Sequence, residues 1–155
     1  MQKALVIDSG LLVLLIVGAV DPTYIAKHKR TDVYSVANFE MLRDMVQRAP
    51  KIICTPHILA ETSNLLRQIG EPKKSEMMES FQRLIVDAAE FEEMAISSKV
   101  ASKAPSFIRL GLTDAAIVSL DREAVHILTV DHSLHIEASR NNFEVTNLTP
   151  LFHDS

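Results

Sequence analysis

The chain has 155 residues, 47% of them hydrophobic and 23% charged, enough apolar material for one compact core and too much for a disordered or fibrous protein. A net charge of −4 and a pI near 5.8 argue against a globally basic coat for nucleic acid, although a local basic patch is still compatible with them. The single Cys54 excludes an internal disulfide and points to a reducing, cytoplasmic setting.

Residues 3 to 7, Lys-Ala-Leu-Val-Ile, form a short apolar run with β-branched members, the pattern of a strand buried on both faces of a parallel sheet, and Asp8 falls at its C-terminal end. Ser9 to Val17 continues as a buried helix that Gly18 is expected to close. A membrane anchor or signal peptide is disfavoured here. The uninterrupted run from Leu11 to Val17 falls short of the roughly 20 residues a spanning helix needs, and a carboxylate inside such a helix costs about 2.5–3.5 kcal/mol. Val20 to Asp32 has loop character and carries the basic cluster Lys27-His28-Lys29-Arg30. Val33 to Arg48 reads as an amphipathic helix with Val36, Phe39, Leu42 and Val46 on one face, ended by Pro50.

Lys51 to Cys54 is a second strand, and Thr55-Pro56 is a helix start with Thr as N-cap and Pro in the first turn, opening a helix expected to reach Gly70. Pro72 to Glu90 is a further helix, with Met77, Met78, Phe81, Leu84 and Ile85 at core-facing spacing. Residues 91 to 112 give no clear pattern beyond a short helix on each side of Pro105. Thr113 is the expected N-cap of a helix reaching Leu120 or Asp121. Val125 to Val130 is a strand ending at Asp131, His132 to Arg140 a helix, and Phe143 to Asn147 a last strand. With no repeat, linker or low-complexity segment, residues 1–155 form one α/β domain, a parallel sheet of about four to five strands flanked by helices on both faces.

Function in such a sheet gathers at the carboxyl ends of the strands, where Asp8 and Asp131 are expected. Asp114 opens the helix that feeds the strand ending at Asp131, which places it at the same edge if the crossover is regular. Glu61 lies between Ile58 and Leu65, inside the expected apolar stripe of its helix, where a charge needs a cation, a proton or a partner. A lone Asp at these positions is most often a helix cap. The four together point further, because no Lys or Arg stands between residues 4 and 26 or between 110 and 121 to neutralise Asp8 or Asp114 locally. Oxygen-only donors suit Mg²⁺ or Mn²⁺, and such a site can activate water against a phosphodiester.

The segments "VIDSGLL", "TPHILAETSNLL", "GLTDAAIVSL" and "ILTVDHSL" together resemble the PIN-domain nucleases, the family that includes the VapC toxins of toxin–antitoxin pairs. The resemblance spans essentially the whole chain and sets Asp8, Glu61, Asp114 and Asp131 at the family's four acidic positions, in order. It implies a parallel sheet sandwiched by helices, Mg²⁺ or Mn²⁺ as cofactor, RNA as substrate, and endoribonuclease activity. Asp8, Glu61 and Asp114 would hold the first ion, with Asp131 completing the site or assisting a second ion. Ser9, Thr113 and Thr129 would support the acids through their hydroxyls. Lys27, Lys29, Arg30, Arg67 and Arg109 would form a nucleic-acid rim, while Lys73 and Lys74 read as a solvated face. An antitoxin protein is a partner the resemblance brings with it, and the apolar, Met-bearing helices could form a homodimer face.

Other chemistries fit less well. A haloacid-dehalogenase-type phosphotransferase commonly needs a second Asp two residues after the first, where this chain has Gly10. His132 and His135 share a helix face but lack a third clustered ligand, and Cys54 reads as a small buried hydrophobe. The alternative of a different class is a PIN-like binding module without catalysis. With two Tyr, six Phe and no Trp, base stacking is thinly supplied, and recognition of phosphate and shape is expected to dominate. Asn in place of Asp8 or Asp114 is expected to abolish cleavage and leave the fold intact or steadier, by relieving like-charge crowding.

Overall fold

The computed structural model describes residues 2–155. Five parallel strands make the sheet, in the order β3-β2-β1-β4-β5: β1 is Ala4–Ile7, β2 Ile52–Cys54, β3 Phe91–Glu93, β4 Val125–Thr129 and β5 Glu144–Asn147. β1 is buried along its whole length, as a central strand covered on both faces must be, whereas the edge strands β3 and β5 are half-exposed. The chain leaves β1 toward β2 and β3, then returns to the other side of β1 to lay down β4 and β5. The direction of winding therefore reverses between β1 and β4, which makes the crevice above their carboxyl ends the place where a ligand site is expected in such sheets.

The helices are α1 (Ser9–Val20), α2 (Val36–Arg48), α3 (Pro56–Leu66), α4 (Lys73–Asp87), α5 (Ser98–Ser102), α6 (Phe107–Leu110), α7 (Leu112–Ile117), α8 (His132–Arg140) and α9 (Thr149–His153). α1 is apolar all round because it is packed all round, against α2, α3, α4 and the 3₁₀ helix Pro22–Lys27. Its composition thus reflects a core position. None of the helices among the described residues is long and apolar enough to cross a membrane.

Several expected boundaries are corrected. α1 runs through Gly18 to Val20, and Gly18 is where the Phe39 ring packs: a Cβ there would lie 2.2 Å from Phe39 Cδ1. α2 starts at Val36, behind a capping box of Ser35 and Asn38, which leaves Val33 outside the helix and 80% exposed. Val36 is exposed as well, so the buried face is Asn38, Phe39 and Leu42. α3 stops at Leu66, short of Gly70. Within 91 to 112 a strand, β3, precedes the two short helices around Pro105, and α9 follows β5. Thr113 does not cap its helix. α7 begins at Leu112 with Gly111 as N-cap, at φ 85°, a left-handed conformation that favours glycine.

Candidate functional site

Strand β1 delivers Asp8 to the crevice, and three donors fix its carboxylate. Leu11 N–H donates to Oδ1 at 3.0 Å, capping α1, while the Thr129 hydroxyl and Val130 N–H (3.1 Å) donate to Oδ2 from the end of β4. Asp8 thus caps a helix and also ties the two strands at the winding reversal together. Burial raises its carboxyl pKa above the ordinary value; the three donors oppose this, and Asp131 nearby adds to it. Asp131 caps α8 by accepting Leu134 N–H at 3.0 Å on Oδ1, and is exposed. Its own N–H donates to the Thr129 hydroxyl at 2.9 Å, so one threonine orients the ends of both acid-bearing turns.

Glu61 is not buried in an apolar stripe, contrary to expectation. The inward face of α3 is Ile58, Leu59, Thr62 and Leu66, and Glu61 stands exposed on the flank. It is nevertheless drawn to the crevice: the Ser9 hydroxyl donates to Oε1 and the Thr113 hydroxyl to Oε2 at 3.0 Å. Freed from capping by Gly111, Thr113 projects from the first turn of α7 toward α3. The next residue is Asp114, half-buried.

The electrostatics concentrate on Asp114, whose carboxyl pKa is pushed up to about 7. Burial is the largest cause, followed by the negative charges of Asp131, Asp8 and Glu61, and no hydrogen-bond donor offsets them. All three other acids of the quartet therefore act on Asp114. Among the described residues none of the ion pairs includes any of the four: Lys3, Arg43, Lys51, Arg109, Arg122 and His126 pair elsewhere. The donors fit a hard divalent cation in kind and in charge. As the side chains stand, no group of three or more His, Cys, Asp or Glu among the described residues is arranged to hold a metal ion.

The three expected hydroxyls, Ser9, Thr113 and Thr129, all touch an acid. Of the expected rim residues, none pairs with or donates to any of the four acids among the described residues. Lys27 closes the 3₁₀ helix that follows α1, and Lys29 and Arg30 come just after it, all three exposed. Arg30 Nε donates to Gln68 at 2.6 Å, just past the end of α3, where exposed Arg67 also lies. His28, within that basic run, is buried: its Nδ1 accepts Arg30 N–H and its Nε2–H donates to Leu66 C=O. Arg109 is paired with Glu137 of α8 at 2.6 Å, which holds the Glu137 carboxyl below its usual range. His132 is exposed on α8, and the Cys54 thiol is fully buried, its pKa raised to about 12 by desolvation.

Several features of the crevice lay outside the sequence reading. Val130 contributes through its peptide N–H, which no residue type announces. Tyr34 lies close enough to Asp8 for that charge to raise its pKa, after the larger effect of burial. Gly111 carried a signal that could have found it, a glycine directly preceding Leu112-Thr113-Asp114. A hollow of about 460 Å³ lies elsewhere, an open groove along α4 lined by Met78, Phe81, Ile85 and Val86 and by none of the four acids. No protein-family model and no curated protein matches the chain.

Proposed function

We propose that the protein is a Mg²⁺- or Mn²⁺-dependent endoribonuclease of the PIN-domain type, with Asp8, Glu61, Asp114 and Asp131 as the metal-holding acids. The observation that carries this reading is the gathering of four acids at the winding reversal with none of them in an ion pair among the described residues: Thr129 links Asp8 to the Asp131 turn, Thr113 links Glu61 to the turn that carries Asp114, and burial with the three like charges raises the Asp114 carboxyl to about 7. Bound there, the ion would lower the pKa of water and stabilise charge on the departing ribose oxygen. The chain's own part is positioning. Thr129 and the Val130 peptide orient Asp8, Ser9 and Thr113 orient Glu61, and the α8 cap leaves the second oxygen of Asp131 uncommitted. A toxin role beside an antitoxin protein belongs to the same reading, as do a cytoplasmic setting and a homodimer.

The test is incubation of total cellular RNA with the protein and Mn²⁺, followed by sequencing of new 5′-phosphate ends, since water attack that expels the 3′ oxygen leaves that end. Discrete Mn²⁺-dependent ends, lost in Asp114→Asn and in chelator, are expected. Ends that persist in the variant would refute the assignment. The competing reading, a PIN-like binding module without catalysis, draws on the present arrangement of the side chains, which does not enclose a metal, and on the capping roles that Asp8 and Asp131 already fill.

A further inference from the structure

We propose that the hollow beside Asp8 is a subsite for one unstacked nucleobase of a single-stranded RNA segment, an inference that rests on the ribonuclease reading and deepens it. The hollow measures about 280 Å³ and is lined by Val33, Tyr34, Val130, Thr149, Phe152 and His153. Its position is set by Val130, which faces both ways. The Val130 N–H donates to Asp8 Oδ2 at 3.1 Å, and its C=O accepts the Thr149 hydroxyl at 3.4 Å. The hollow therefore lies one peptide away from Asp8, within a nucleotide's reach of a phosphate held at the carboxylates.

The lining selects the ligand. It holds no Lys, Arg, Asp or Glu, so it offers no fixed charge to hold a phosphate or a cation, and its polar side-chain groups are the Tyr34 and Thr149 hydroxyls, the His153 ring and the Asn38 amide. An uncharged flat group suits it. Tyr34 and Phe152 meet edge to face, with ring centroids 5.7 Å apart at 77°, and form an aromatic corner. Val33 stands at the mouth 80% exposed, apolar surface that a base would cover. The volume is just under the usual range for small-molecule pockets, about 300–1,000 Å³, which fits one ring system.

The floor is already rigid. Asn38 Nδ2 donates to Phe152 C=O at 3.0 Å and to the Ser155 hydroxyl at 2.7 Å, and its Oδ1 accepts Ser35 N–H at 3.0 Å, so this amide pins α9 to α2 and has little left for a ligand. Polar contact is left to the Tyr34 and Thr149 hydroxyls and the His153 ring. Few handles and one aromatic corner mean stacking with modest base preference. Sparse as the aromatics are, two of them are concentrated here. A base can enter only if it leaves its stack, which an A-form duplex does not offer and a loop or tail does, so the substrate class is single-stranded RNA.

The test uses the ¹⁵N-labelled protein, its amide resonances followed by NMR. Each of the four nucleoside 5′-monophosphates is added in turn, with ribose 5-phosphate as the base-free control. At least one monophosphate is expected to shift the amides of Tyr34, Val130, Thr149 and Phe152 while ribose 5-phosphate leaves them in place. Tyr34→Leu should weaken that binding by about fivefold or more. Should that variant misfold, Val33→Ser at the exposed mouth serves in its place. Shifts confined to other residues, or equal shifts with the base-free control, would overturn the proposal. Mn²⁺ added to the same sample tests the ribonuclease reading separately, by paramagnetic broadening around Asp8, Asp114 and Asp131. Broadening without base-dependent shifts refutes the subsite alone, whereas base-dependent shifts without broadening support the subsite and count against the metal.

Discussion

Replacing Asp114 by Asn removes the one charge of the crevice that nothing in the protein compensates, and the structure sets the size and the pH course of the effect. The carboxyl pKa is about 7 in the folded chain against an ordinary 3.8. Below about pH 4 both folded and unfolded chains hold the proton, and no penalty exists. Between about pH 4 and pH 7 the unfolded chain ionises while the folded one keeps its proton, so stability falls as pH rises; above pH 7 the loss is complete. At 1.36 kcal/mol per pKa unit the ceiling is about 4 kcal/mol, and because Asp114 is only half-buried, solvent screening brings it nearer 2 kcal/mol. Asn also forgoes the favourable placement of a carboxylate in the first turn of α7, ~0.3–1 kcal/mol. The variant should therefore match the parent at about pH 4.5 and exceed it by about 1–2 kcal/mol at about pH 8. Urea unfolding followed by circular dichroism at both pH values reads this as a midpoint shift of roughly 0.5–1 M. A gain equal at both pH values, or a variant weaker than the parent at pH 8, would refute the reasoning.

Asp8→Asn behaves differently, against the sequence-based expectation that the two variants are alike. Its amide nitrogen would face Val130 N–H, donor against donor, at the oxygen that now accepts it, so urea titration should find it about 1–3 kcal/mol less stable than Asp114→Asn above pH 7. Glu61→Gln, on an exposed flank, should change stability by no more than about 0.5 kcal/mol. By calorimetric titration it should nonetheless lower Mn²⁺ affinity about tenfold, a loss that a purely structural Glu61 would not produce. Gly18→Ala drives a methyl into the Phe39 ring and should cost at least about 1–3 kcal/mol in the same urea assay despite the better helix propensity of alanine.

The parallel sheet was legible because β1 is a short, uniformly apolar run and β4 a largely apolar one, and Asp8 and Asp131 were legible because each stands just past the end of such a run. Thr55-Pro56 announced α3 by chemistry alone, and α8 was bounded by its Asp cap. Glu61 was placed for the wrong reason. Helical spacing put it in the stripe, but the axis of α3 is turned so that Thr62 faces inward, and what draws Glu61 to the crevice is two hydroxyls on other elements. Tertiary contacts of that kind leave no local trace. The strand β3 is only three residues long and carries two glutamates, so it has no apolar pattern to read. The members of the basic run from Lys27 to Arg30 adjoin in sequence, but the fold buries His28 among them and leaves Lys27, Lys29 and Arg30 exposed. Gly18 has the residue type of a helix stop, but its role is to make room for the Phe39 ring.

Crystals of the parent and of Asp114→Asn soaked in millimolar Mn²⁺, read by anomalous scattering, address the quartet without requiring the right RNA. A peak among Asp8, Glu61 and Asp114 in the parent that vanishes in the variant is the expected result. Parent crystals with no peak in the crevice, the four carboxylates still apart, would contradict a metal-dependent site and favour the binding module.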